Sequence, residues 1–339
     1  MDARPVSMRA RAAALAAALL LCGEAHAQLF RAYLSSGGSD ANPCTLAAPC
    51  RLLPAALAAV AGGGEVWLLD SANYNTATVE VAKSVAILAV PGAVGSVVAT
   101  GGPAISIAAP GVRVVLRNLA IVPLQGGAAT DGISMTAGDS LAVEDSLVSG
   151  LPGDGIAVAT AATVRIVDTT VRGNTGSGIR LTAGARATIT RAAVSGQGLY
   201  GIVVQGSAGA PATAAAVADS TLEANYAAVF AYSADATGAV DVSVGGSQLA
   251  GNTFGAYALS SGGAAVTLVV GDNAVTLTSQ EAIAADGAGA RVWARGNIVT
   301  GNGTGLAALA GGLFESAGDN AVRDNGADKS GTIAVVAME

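Results

Sequence analysis

Between Asp131 and Val204 apolar and polar positions alternate, and the alternation itself repeats. Ile133, Ile156, Ile179 and Ile202 follow one another at steps of 23 residues. Two positions on from each stand Met135, Val158, Leu181 and Val204, while Ser134, Ala157, Arg180 and Val203 between them point the opposite way. Alternation at every second residue marks a strand with one face buried. A second alternating run follows in each unit: Leu141 and Val143, then Val164 and Ile166, then Ala187 and Ile189. A third, shorter apolar position follows at Leu147 and Val148, at Val171 and at Val194. Gly, Asp, Asn, Thr and Ser fill the intervals, as turns require. No apolar stripe of period 3.6 spans a unit, and glycine is too frequent for helices.

A fixed period of this length means stacked repeats, each burying its apolar face on the next. Two or three short strands per turn, with equivalent positions about 4.8 Å apart, predict an all-β chain wound as a parallel β-helix. The turn is longer than the roughly 18 residues of a hexapeptide-repeat coil. The usual hand of parallel connections then favours the right-handed form. The first column continues through Val229, Ala256, Ile283 and Leu306, at steps of 27, 27, 27 and 23. Asn225, Asn252 and Asn302 each precede it by four residues, and Asn325 ends the next unit. This column reads as a structural hydrogen-bonded ladder, since Asn tolerates left-handed backbone.

Ahead of the solenoid the pattern changes. In residues 1–27, Arg4, Arg9 and Arg11 precede the apolar run Ala12 to Leu21, and Ala25-His26-Ala27 offers a small-x-small cleavage site. This is the pattern of a signal peptide, starting at Met1 or Met8, with an apolar run too short to span a membrane. Cys22 follows the large Leu21, which argues against a lipid anchor there. Without residues 1–27 the chain keeps 14 basic and 22 acidic residues, a net charge of −8, and loses its one histidine, His26. Such a chain is expected to be exported, to the periplasm or beyond, and not to bind nucleic acid. Cys44 and Cys50, in CTLAAPC, are the two cysteines left, and an oxidising compartment predicts a small disulfide loop between them.

Residues 28–63 lead into the solenoid, which takes up residues 64–339. Arg31 to Ser35 reads as a strand, SSGGSDANPC as a loop, Leu52 to Ala61 as a short Ala/Leu helix, and Glu65 to Leu69 as the first core strand. The helix is placed to cap the open apolar end of the stack. The run RAYLSSGGSDANPCTLAAPCRLLPAALAAVAGGGEVWLL resembles the start of secreted bacterial right-handed β-helix proteins of the pectin-lyase-like kind. Their pattern is a strand, a G-x-D-x-N-P loop, a proline, a capping helix and then the first coil. The resemblance implies the fold over nearly the whole chain after residue 27. It does not imply one activity, because the fold hosts lyases, hydrolases, epimerases and adhesins. Further strands read at Val79–Val81, Val85–Val90, Ala104–Ile107, Val112–Leu116 and Leu119–Val122, and GTIAVVAME reads as a last strand with no cap after it. An uncapped coil end predicts a partner there, a second copy among the candidates.

The resemblance directs attention to polysaccharide chemistry. Polygalacturonase-like sites carry Gly-His-Gly and Arg-x-Lys, and neither is present. Alginate-epimerase-like sites use histidine, and none follows residue 27. Pectate-lyase-like chemistry needs calcium on carboxylates and an Arg or Lys base. One column offers them: Asp145, Asp168, Arg191 and Asp219 each lie three residues before a third-strand Val or Leu, and Asp319 recurs later. Asp145 and Asp168 are placed to share a Ca2+ ion, with Arg191 as base. Arg165 and Glu144 form an acid–base pair on the second-strand face. The other reading of the column is a turn in which Asp bonds its own backbone and Arg191 relieves like charge. Asp131 and Asp154 form a second stacked pair open to the same two readings. Five arginines between residues 165 and 191 fall on different faces, a belt rather than a groove.

The remaining feature is aromatic. Phe230 and Tyr257 share an outward column, with Tyr232 in the next one. Outward rings in register stack on sugars or form an interface. The sequence therefore predicts an exported right-handed parallel β-helix with a short N-terminal capping helix. Its expected role is binding or structural, toward a polysaccharide or protein surface, without a cofactor. The alternative, which the resemblance implies, is a calcium-assisted polysaccharide lyase acting on an acidic polysaccharide by β-elimination.

Overall fold

A computed structural model describes residues 28–336. The signal-peptide reading, with Met8, Cys22 and His26, falls outside these residues. From Leu29 the chain winds into a right-handed parallel solenoid of about 11 turns. Three parallel sheets of 11, 13 and 11 strands run its length. One coil shows the plan: Ile133–Met135 lies in the first sheet, Ser140–Glu144 in the second, and Leu147–Ser149 in the third. The 23-residue step is the observed register, since Ile133 pairs with Ile156, Ile156 with Ile179, and Ile179 with Ile202. All four isoleucines are fully buried. Val143, Ile166 and Ile189 line the second wall and Val148, Val171 and Val194 the third, all fully buried. Alternation thus fills the prism with one apolar column per inward position.

The corner between the second and third sheets needs left-handed backbone. Asn118, Asp145, Asp168, Arg191, Asp219 and Asp272 occupy it with φ between 49° and 61°, and Gly246 and Gly296 hold it at 60°. Asn and Asp accept this conformation at the least cost among residues with a side chain. Inside the corners run two polar ladders. In the anticipated one, the Asn225 amide donates to Asn252 Oδ1 (2.9 Å) and the Asn302 amide to Asn325 Oδ1 (3.0 Å). It also extends back through Gln197 and Asn174. A second ladder, not anticipated, runs Ser220, Ser247, Asn273, Asn297 and Asn320. Each member satisfies backbone N–H groups that the tight turn leaves inside the solenoid.

The N-terminal end is closed as the sequence suggests. Strand Leu29–Leu34 pairs in parallel with Val60–Leu68. The helix spans Leu53–Ala59, shorter than the expected Leu52–Ala61, because Val60 takes an extended conformation and begins the next strand. It buries Leu53, Ala56 and Leu57 over the first coil. Asp40 Oδ1 accepts the amides of Arg51 (2.9 Å) and Leu52 (2.8 Å) just ahead of it. Cys44 and Cys50 are joined in a disulfide, their Cα atoms 4.6 Å apart. No helix among the described residues is long and apolar enough to cross a membrane.

Asp70 ties this cap to the first coil. It accepts from the Ser36 amide (2.8 Å) and hydroxyl (2.7 Å), from the Ser35 hydroxyl (3.0 Å) and from the buried Tyr74 hydroxyl. Burial pushes its carboxyl up, but the donors outweigh it and hold the group at about 2, against an ordinary 3.8. A carboxylate with a depressed folded pKa stabilises the chain fully above its unfolded value, and that contribution fades as pH falls through about 2. Thermal melts of Asp70→Asn and of the native chain are therefore expected to differ at neutral pH and to converge as pH nears 2. A gap that stays constant down to that pH would remove the charge from the explanation.

Candidate ligand-binding face

The longer coils change the shape of the first sheet. Its strands hold three or four residues between Ile105 and Thr182, then six or seven at Tyr200–Gln205, Ala227–Ser233 and Phe254–Ser260. The added residues widen the outward face without moving the inward Ile202, Val229, Ala256 column. Phe230 pairs with Tyr257, and Tyr232 lies beside it between Gln205 and Leu259. These are the outward positions that the spacing implied. Three further rings join them. Tyr200 and Phe254 stand at the starts of their strands, and Tyr226 sits one residue before Ala227. Spacing held a signal for two of these, since Tyr200, Ala227 and Phe254 follow at steps of 27. Tyr226 lies off the alternation, and only the fold brings it in.

The rings form one continuous cluster. Tyr200 and Phe230 stack in parallel with centroids 4.5 Å apart. Phe230 reaches Tyr232 at 5.6 Å and Tyr257 at 5.9 Å. Phe254 meets Tyr257 edge-on at 5.1 Å, and Tyr226 meets Phe254 at 5.2 Å and Tyr200 at 6.0 Å. Four of the chain's six tyrosines and two of its four phenylalanines are in this one patch. Leu259 and Leu309 pack along it. Tyr257 is the floor, 8% exposed, and Tyr226 is the most open ring at 47%. Phe230 and Tyr232, which the sequence marked with Tyr257, are half-buried. The Tyr257 hydroxyl donates to Asp286 Oδ2 at 2.8 Å. Burial, this bond and the charges of Asp286 and Glu281 push its phenol well above the ordinary tyrosine range. Burial also raises Tyr200, with Arg180 opposing.

The other marked residues do not converge on this face. Asp145, Asp168 and Arg191 occupy the left-handed corner. Arg191 donates Nε and Nη2 to the two oxygens of Asp168, both at 2.7 Å, on the exposed edge. That contact lowers the Asp168 carboxyl. Glu144 lies on the outer face of the second sheet between Arg117, at 2.7 Å, and Arg165. Asp131 and Asp154 act as backbone acceptors: Asp131 takes the Asp154 amide and Asp154 the Ser177 amide, both at 2.7 Å. Asp154 also binds Arg180 Nε at 2.6 Å. Burial raises the Asp131 carboxyl. Among the described residues no group of three or more His, Cys, Asp or Glu side chains stands together to hold a metal ion. A calcium site at Asp145 and Asp168 would have to take Asp168 from Arg191.

A coil of three parallel strands, an N-terminal capping helix and corner ladders together define a right-handed parallel β-helix protein. The family described as "Right handed beta helix region" matches residues 107–254. Among solved structures, the A-module of the Azotobacter vinelandii mannuronan C-5 epimerase AlgE4 is 14% identical, with a TM-score of 0.56 over 90% of this chain and 100% of that one. The A-module of AlgE6 from the same organism is 15% identical, with a TM-score of 0.53 over 85% and 96%. The structure of XylC with xylose is 8% identical, with a TM-score of 0.55 over 80% and 69%. At these identities the likeness is one of fold. No curated protein matches the chain.

Proposed function

We propose that this protein is an exported, non-catalytic β-helix that holds a glycan chain against the aromatic face of its first sheet. The observation that carries the reading is the gathering of six rings from three successive coils, with Tyr226 open to solvent. Rings in such a patch offer apolar faces to the C–H side of sugars, while their hydroxyls take up sugar hydroxyls. The disulfide at Cys44 and Cys50 supports an oxidising compartment. Fold neighbours named for mannuronan and xylose put carbohydrate first among the ligand classes to test. The lyase alternative draws less support. It asks for carboxylates and a free arginine in one groove, whereas Arg191 is spent on Asp168 and Arg165 on Glu144.

Affinity electrophoresis of residues 28–339 through gels holding soluble polysaccharides tests the reading. Retardation by at least one glycan is expected, and Tyr226→Ala is expected to weaken it about tenfold or more, equivalent to roughly 1.4 kcal/mol. Tyr226 is half-exposed, so the variant should melt like the native chain. If no glycan retards the protein, or if Tyr226→Ala migrates as the native chain does, the face is not a glycan site. Light scattering would then show whether a second copy covers it.

A further inference from the structure

The aromatic patch lies in a part of the chain with an unusual charge pattern. Residues 192–290 contain no Lys, Arg or His and seven Asp or Glu. Of these seven, Glu281 and Asp286 belong to the first-sheet strand directly beyond Tyr257, and Asp235 lies in the loop after strand Ala227–Ser233. On the opposite side of the patch stands Arg180, whose Nε is bound to Asp154 at 2.6 Å. Arg180 and Lys329 are the only basic residues in the eleven strands of this sheet, and Lys329 is in its last strand, beyond the coil of Asp286. Among the described residues, the cation in the strands next to the rings, Arg180, is paired with Asp154, and two carboxylates border the rings on the other side.

The donors and acceptors agree with the charges. Asp286 and Glu281 can only accept hydrogen bonds when ionised, and the hydroxyls of a neutral sugar donate. A uronic-acid residue presents a carboxylate that accepts and carries charge. The donors beside the rings are the Tyr200, Tyr226 and Tyr232 hydroxyls and the Gln205 amide, with Arg180 held by Asp154. Like charges within a Debye length, about 8 Å at physiological salt, repel. Glu281 and Asp286 are close enough to raise the Tyr257 phenol.

From this arrangement we propose that the aromatic face takes uncharged glycan chains and turns away uronic-acid polymers, a specificity set by Glu281 and Asp286 at its edge. The proposal rests on the glycan-binding reading above. It departs from the acidic polymer that the fold resemblance first suggested.

The test is affinity electrophoresis of residues 28–339 against two sets of polymers, with xylan, mixed-linkage β-glucan and galactomannan as uncharged probes and polygalacturonate and alginate as charged ones. Each is run at low and at moderate salt, and Glu281→Lys is run beside the native chain. The expected result is retardation by at least one uncharged polymer and at least tenfold weaker retardation by both uronates, the difference narrowing as salt rises. Glu281→Lys is expected to gain uronate binding severalfold, so that the preference for uncharged polymers narrows. Equal or stronger retardation by a uronate in the native chain overturns the proposal and leaves glycan binding standing. So does a Glu281→Lys variant, folded by circular dichroism, that gains nothing toward uronates. Retardation by neither set overturns the glycan reading, and the proposal with it.

Discussion

Asn252→Ala is expected to lower the unfolding free energy by about 3 kcal/mol or more, a large share of what holds a domain of this size. Asn252 is 1% exposed and works in two directions. Its Oδ1 accepts the Asn225 amide at 2.9 Å and Asn225 Nδ2 at 3.1 Å. Its Nδ2 donates to the carbonyls of Leu222 at 3.0 Å and Ala250 at 3.2 Å. Alanine leaves the Asn225 amide and Asn225 Nδ2 without this acceptor and takes a donor from the Leu222 carbonyl, while the Ala250 carbonyl keeps the Ala224 amide; a buried group left unpaired costs about 1–3 kcal/mol. Asn252→Asp keeps the acceptor, loses the donor and places a charge at a buried site, so it is expected to be at least as damaging. Urea unfolding followed by circular dichroism gives the size. Hydrogen exchange should place the loss in the coils of Asn225 and Asn252. A midpoint shift equivalent to less than about 1 kcal/mol would mean that water or backbone movement replaces the ladder.

Ile179→Ala is expected to cost about 3–5 kcal/mol, the upper range for truncating a buried aliphatic side chain. The residue is fully buried, between Ile156 and Ile202 in register. The cost of a cavity depends on how far its walls can collapse. Here strand pairing holds both neighbours in register, so little collapse is available. Ile179→Val removes one methylene and should cost about 1 kcal/mol. Thr188→Ala, on an outward position of the second sheet, serves as a control. Its expected effect is within about 0.5 kcal/mol. If Ile179→Ala and Thr188→Ala unfold at the same urea concentration, the inward columns are not the core of the solenoid.

The parts of the fold that were legible share one property: each is a statement about neighbouring coils. Ile156 must face Ile179 because both alternations and the 23-residue step put them there. The same holds for the asparagine column and the outward place of Phe230 and Tyr257. The second polar ladder was less visible because its members vary, from Ser220 and Ser247 to Asn273, Asn297 and Asn320. Any side chain short enough to reach the next amide serves there, so no single residue type recurs. The corner column was read correctly in position, and the left-handed φ of Asp145, Asp168 and Arg191 explains its composition. Which partners its side chains take was not readable. Arg191 turns to Asp168, and Glu144 collects Arg117 as well as Arg165.

The sequence by itself determined the winding of this chain: period-two alternation at steps of 23 and 27 residues is satisfied by short strands stacked coil on coil. Burial enforces that outcome locally, because each coil exposes apolar surface until the next one covers it. Only the tertiary structure decided what gathers on the outside. Outward side chains are free of the packing rule that orders the inward ones, and they meet according to strand length, corner geometry and reach. Thus Tyr226, off the alternation, closes the ring cluster between Tyr200 and Phe254. Thus also Glu281 and Asp286, ordinary acidic residues in the chain, become the charged border of an aromatic face.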